Sequence, residues 1–156
     1  MHVYSTSYTF IQRLMVPAEE AFHWSTDYRP DDLALMGEKG QRRIKRVTKD
    51  TIILEERVAQ EHKKVRKLKL VKINPKKLSW HNIQLQGPNK YSEFIYEISP
   101  EGPQRSRLTF TGLLVVYAKN RISRQRLKHI ASEEREYDSR AWKFLASAMA
   151  DELRPD

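Results

Sequence analysis

The chain has 156 residues, 39% of them apolar and 31% charged, with a formal net charge of +9 and no cysteine. That length suffices for one domain (residues 1–156) with a sizeable core, the apolar and aromatic content excludes a disordered chain, and the missing cysteines exclude disulfides, a thiol nucleophile and cysteine-based zinc sites. No apolar run approaches the about 18 residues that a membrane span needs. The opening Met1-His2-Val3-Tyr4-Ser5 lacks the charged-then-apolar form of a secretory signal, so a cytoplasmic protein without a transmembrane segment is expected.

In chain order, Ser5 to Met15 is rich in Tyr, Thr, Phe and Ile and reads as a strand. Tyr8, Phe10, Gln12 and Leu14 share one of its faces. Pro17 ends it, because proline cannot donate to a ladder. Ala18-Glu19-Glu20-Ala21-Phe22 then opens a short helix whose first turn carries the acids that a helix dipole favours. Phe22, Ser25 and Tyr28 form its expected inner stripe. A second short helix over Asp31 to Met36 is closed by Gly37.

A meander of six strands follows: Gln41–Thr48, Thr51–Gln60, Lys63–Ile73, Leu78–Leu85, Tyr91–Ile98 and Arg105–Tyr117. The turns lie at Lys49-Asp50, Glu61-His62, Asn74-Pro75, Gly87-Pro88-Asn89 and Pro100 to Pro103. Such short connections predict antiparallel pairing, and Gly112 suggests a bulge in the last strand. From Ile122 to Leu153 there is neither Pro nor Gly, and apolar residues recur every three or four positions, so one long amphipathic helix closes the chain.

This order, with Leu14-Met15-Val16-Pro17-Ala18-Glu19-Glu20-Ala21-Phe22 and Thr26-Asp27 as its local match, resembles the START/Bet v 1-like superfamily, the SRPBCC or polyketide cyclase/dehydrase-like proteins. The Trp usual in that family shortly after the second helix is absent, and Met36-Gly37 stands near that point. The resemblance implies an α+β helix-grip fold: a curved seven-stranded antiparallel sheet wrapped around the long C-terminal helix, with two short helices after strand one. It also implies a cavity between sheet and helix and no fixed catalytic set.

Such a concave, mostly apolar space suits a hydrophobic or amphipathic small molecule such as a lipid, an isoprenoid quinone or a polyketide-like ring. Trp80, Phe94, Tyr96, Phe110 and Leu114 are the lining candidates from the sheet. Tyr137, Ala141, Phe144 and Leu145 are those from the helix. Two carboxylates fall on the same faces. Glu56 aligns with Ile52, Leu54 and Val58, and Glu134 lies on the helix stripe. A carboxylate in an apolar pocket has a raised pKa and can move a proton, although an ion pair with Arg66 or Lys72 would neutralise it. His23 and His81 are further acid–base candidates, so a cyclase or dehydratase is an alternative to a carrier. The five histidines show no metal-ligand spacing, and no phosphate loop or nucleophile elbow is present. Hence no metal and no cofactor are expected.

The positive charge is concentrated. Residues 37–77 hold fifteen basic and five acidic groups. An outward patch over residues 39–77 would meet RNA phosphates or an anionic membrane, or simply solvate a convex sheet face. Nothing in the sequence specifies an oligomeric state.

Overall fold

A computed structural model describes residues 1–60 and 62–154, with Gln60 described by its backbone alone. The seven strands form one antiparallel sheet in the order β1-β7-β6-β5-β4-β3-β2. They are β1 (His2–Leu14), β2 (Gly40–Thr48), β3 (Thr51–Gln60), β4 (Lys63–Asn74), β5 (Ser79–Gln86), β6 (Glu93–Pro100) and β7 (Ser106–Ala118). The helices are α1 (Ala18–Thr26), α2 (Asp32–Leu35) and α3 (Arg124–Leu153). This is the expected helix-grip fold. The turn read at Glu61-His62 includes Glu61, which lies outside the described residues.

Consecutive strands pair because their connections are short, and β1 closes the order against β7 through a continuous register from His2↔Ala118 to Leu14↔Ser106. Gly112 is not a bulge: it pairs in step with Tyr8 on one side and Phe94 on the other. The irregularities lie instead between Arg46 and Thr48 and between Leu68 and Lys69. Alternation sorts the sheet as a pleated strand requires: Tyr8, Phe10 and Leu14 from β1, Ile52, Leu54 and Val58 from β3, and Leu108, Phe110 and Leu114 from β7 are all buried.

Helix α3 begins two residues later than the periodicity suggests. Ser123 caps it, its side chain accepting from the Arg126 N–H at 3.0 Å, which satisfies one of the orphan donors of the first turn. Its buried residues are Ala131, Trp142, Leu145 and Met149. The inward stripe is therefore turned from the one expected. Tyr137 and Phe144 are 43% and 52% exposed, and the half-buried Glu134 and Asp138 take the inner positions between Ala131 and Trp142. In α1 the buried face is Ala18, Ala21, Phe22, Trp24 and Thr26, so the expected Phe22 is joined by Trp24, while Ser25 is only half-buried.

Candidate functional site

One end of the space between sheet and α3 is aromatic. Trp80 on β5 and Tyr96 on β6 are register partners and stack with ring centres 4.8 Å apart and planes 3° apart. Tyr96 in turn meets Phe110 edge-on at 5.0 Å, and Trp142 from α3 leans on both Trp80 and Tyr96. Offset or edge-to-face pairs of this kind add about 0.5–1.5 kcal/mol each beyond their burial. Phe110 and Leu114 are core side chains, 2% and 1% exposed. Tyr96 is half-buried, and it lines a cavity.

The cavity measures about 90 Å³. Trp80, Asn82 and Tyr96 line it from the sheet, Trp142 and Leu145 from α3, and Trp24, Tyr28 and Met36 from the α1–α2 segment that covers it. Asn82 is held between two phenols, accepting from the Tyr28 hydroxyl and donating to the Tyr96 oxygen, each at 3.3 Å. A wider hollow of about 750 Å³ lies near the β2–β3 turn. It is lined by Lys72, His81 and Ile95 from the outer face and by Ile73 and Trp80 from the inner one, together with Asn74 to Lys76, so it lies at the open end of the sheet around the β4–β5 connection. The inner cavity combines aromatic walls with converging polar groups.

The cavity's polar wall is a buried charge network. Glu56 is 2% exposed, but its partners are neither Arg66 nor Lys72, the expected ones. Arg42 reaches it through Nε at 3.0 Å and Nη2 at 2.8 Å, and Lys69 Nζ lies 2.7 Å from its other oxygen. Arg42 also donates to Asp32 at 2.9 Å, tying α2 to the sheet. Arg66 pairs instead with Glu55, and Lys72 donates to Thr51. Burial alone would raise the pKa of Glu56, but the Lys69 ammonium and the Arg42 guanidinium outweigh it and hold the carboxyl at about 2. Glu56 is therefore a fixed anion at neutral pH, so its expected part as a proton donor in an apolar pocket is corrected.

On the inner face of α3 burial raises the pKa of Asp138, which is not among the residues expected from the sequence. The Tyr8 hydroxyl donates to Asp138 Oδ2. Gly112 makes this contact possible: a Cβ there would stand 2.7 Å from the Tyr8 oxygen and 2.6 Å from Cε1 of its ring. Burial pushes Asp138 up to about 6 against the lowering effect of the Tyr8 hydrogen bond. Glu134, one turn earlier, is also raised by burial, an effect partly offset by Lys67. Two acids at i, i+4 share one helix face, so the position of Glu134 is itself a readable signal for Asp138.

Among the other expected residues, Phe94 and Ala141 are half-buried and Leu145 is buried. Tyr137 donates to Glu38, joining α3 to the loop before β2, and so stands at the rim rather than inside. Phe144 faces outward. His23 is exposed on α1, and His81 lies 3.9 Å from Glu93 on the outer face; neither meets the cavity. The basic segment is split by the strand alternation. Arg42, Lys67 and Lys69 point inward, while Arg43, Lys45, Arg57, Lys64 and Arg66 are exposed. No three His, Cys, Asp or Glu side chains cluster for a metal among the described residues, and none of their helices is long and apolar enough to cross a membrane.

No protein-family model matches this sequence, and no curated protein matches it either. Solved structures do. The Zhui aromatase/cyclase from Streptomyces sp. R1128 superposes with a TM-score of 0.77 at 10% identity, covering 98% of this chain and 97% of its own. A START superfamily protein from Mycobacterium smegmatis gives 0.71 at 16% identity over 92% and 98%. The di-domain ARO/CYC StfQ of the steffimycin biosynthetic pathway gives 0.79 at 7% identity, over 97% of this chain and 52% of that one. Identities this low speak for the fold alone. The chain has the START/Bet v 1-like, SRPBCC fold.

Proposed function

We propose that the protein binds a hydrophobic or amphipathic small molecule, of lipid, quinone or polyketide-like type, between the sheet and α3, as a carrier. The observation that carries this reading is the cavity whose aromatic residues Trp80, Tyr96 and Trp142 line it together with the polar Asn82, Arg42 and Lys69. An apolar body would lie against the rings, and an oxygen would meet the donors. At about 90 Å³ the space is smaller than the roughly 300 Å³ or more of ordinary ligand sites, so entry requires the α1–α2 cover to shift. The test is titration with 2-naphthol and with oleate, read by tryptophan fluorescence and calorimetry. Saturable binding that Asn82→Leu weakens several-fold is the expected result. Failure of both probes, with no small molecule released on denaturing the purified protein, would overturn it.

A second reading is favoured by the Tyr8–Asp138 pair. A carboxyl titrating near neutrality on the inner face of α3, one turn before the cavity-lining Trp142, can take a proton α to a carbonyl and return it to a departing hydroxyl, the chemistry of a cyclase or dehydratase. The fold neighbours named as aromatase/cyclase proteins make that chemistry worth assaying on a β-hydroxy ketone. Loss of turnover in Asp138→Asn with probe binding retained would support it; no turnover in the unaltered protein would remove it. The outward Arg43, Lys45, Arg57, Lys64 and Arg66 support a peripheral contact with anionic membrane or RNA. Such a contact must weaken steeply with salt.

A further inference from the structure

We propose that Lys67, two positions along β4 from the cavity-lining Lys69, is a nucleophilic amine and forms an imine with an aldehyde or ketone ligand; this rests on the cavity being a binding site. Strand alternation puts Lys67 and Lys69 on the inner face of β4, in the row that ends in the fully buried Val71. The two amines are not equivalent. Lys69 is clamped by Glu56 at 2.7 Å, and the other oxygen of that carboxylate is taken by Arg42 at 2.8 Å. Lys67 stands directly across from Glu56 in the β3–β4 register, yet finds that carboxylate occupied. Among the described residues it makes no ion pair and no hydrogen bond through its side chain.

Lys67 has neighbours on several elements. Its stem lies beside the β5–β6 turn, where a Cβ on Gly87 would come within 3.3 Å of its Cγ. Glu38 faces it from the loop before β2, Glu56 from β3, Lys69 from its own strand and Glu134 from α3. Glu38 is engaged by Tyr137, which leaves Glu134 as the carboxyl free to handle a proton. Burial, and then the Lys69 charge, lower the pKa of Lys67. A lysine desolvated beside another cation is activated as a nucleophile for carbonyl carbon.

The chemistry balances without an oxidant or a reductant. The neutral amine nitrogen bonds to the carbonyl carbon, the C=O π pair moves to oxygen, and Glu134 takes one N–H proton and delivers it to that oxygen, giving the neutral carbinolamine. The nitrogen lone pair then expels the hydroxyl, which leaves as water with the second N–H proton, again carried by Glu134, as the C=N bond forms.

The test incubates the protein with 2-naphthaldehyde and cyanoborohydride, which fixes imines as amines, and maps the adducts by mass spectrometry. The exposed Lys64 and Lys76 serve as internal references. Labelling of Lys67 at neutral pH at least tenfold ahead of both references is expected. Lys69→Ala removes the neighbouring cation and frees a Glu56 oxygen for Lys67, so it should slow labelling and move its pH midpoint upward. Lys67→Arg should abolish the fast adduct with an unchanged circular dichroism spectrum. Non-covalent binding of 2-naphthalenemethanol is measured alongside. If the alcohol binds while Lys67 is labelled no faster than the references, the imine proposal alone is overturned. If neither occurs, the cavity reading falls with it.

Discussion

Tyr8 and Gly112 are register partners on β1 and β7, and the ring of Tyr8 occupies the space where a side chain at Gly112 would lie. The missing Cβ lets the phenol lie across β7 and reach Asp138 on α3. A glycine inside a strand weakens it by the entropy it loses, so its presence at this position is tied to the close approach. Gly112→Ala should push the ring away, break the contact with Asp138 and destabilise the fold by about 1–3 kcal/mol, as overpacking does. Denaturant unfolding checks the magnitude, and Gly112→Ala combined with Tyr8→Ala should recover part of the loss by restoring the room.

Glu56 holds two cations. Replacing it by Gln leaves Arg42 and Lys69 facing an uncharged group in a buried site, and removal of one partner from such a pair costs about 3–5 kcal/mol. Its folded pKa of about 2 lies below the ordinary value of 4.5. The contribution is therefore present in full above the unfolded pKa and is lost as pH falls from about 4.5 toward 2. Unfolding free energies measured between pH 7 and pH 3 should converge for Glu56→Gln and the unaltered chain. A gap that stayed constant with pH would contradict this account.

Asp138 works in the opposite sense. Its folded pKa of about 6 lies above the ordinary 3.8, so the folded state binds the proton more tightly than the unfolded chain. Stability from this group is highest below about 4 and is lost as pH rises through 6. Asp138→Asn keeps an acceptor for Tyr8 without the buried charge. It should raise stability at pH 8 by roughly 2 kcal/mol, because a tenfold change in proton affinity is worth about 1.4 kcal/mol, and change little at pH 4. A pH-independent effect of the substitution would sink the assignment.

The cover over the cavity is tied down at Glu152. That carboxylate accepts from the Trp24 indole at 2.7 Å and from both Nη atoms of Arg29 at 2.8 and 2.9 Å, while the Arg29 guanidinium lies 5.3 Å over the Trp24 ring. Glu152→Ala should therefore loosen the α1–α2 segment at a cost of about 1–2 kcal/mol, mostly from the orphaned indole N–H. In stopped-flow mixing with 2-naphthol, both association and dissociation should accelerate. Unchanged rates would mean that the probe enters elsewhere.

Much of the fold is legible in the chain itself. The Tyr8–Phe10–Leu14 face, the Ile52–Leu54–Glu56–Val58 face and the Phe94–Tyr96–Ile98 alternation all follow from the two-residue period of a strand, whatever lies opposite. The rotation of α3 is not legible in this way. Two stripes run along it one residue apart: one holds Tyr137, Ala141 and Phe144, the other Asp138 and Trp142, and the expected Glu134 and Leu145 lie on the margin that both share. The first is the more apolar, and periodicity alone favours burying it. The sheet buries the second, because Tyr8 and the lysines of β4 offer Asp138 and Glu134 polar surroundings inside.

The sequence by itself determined the order of the elements, the faces of the strands and the length of the helix, because these depend on neighbours a few residues apart. It also showed that Glu56 points inward. Only the tertiary structure decided that Arg42 and Lys69 neutralise Glu56, that Tyr8 meets Asp138 across 130 positions of chain, and that Lys67 is left without a partner among the described residues. Each of these depends on which side chain reaches a shared carboxylate first in three dimensions, and the register and curvature of the whole sheet settle that.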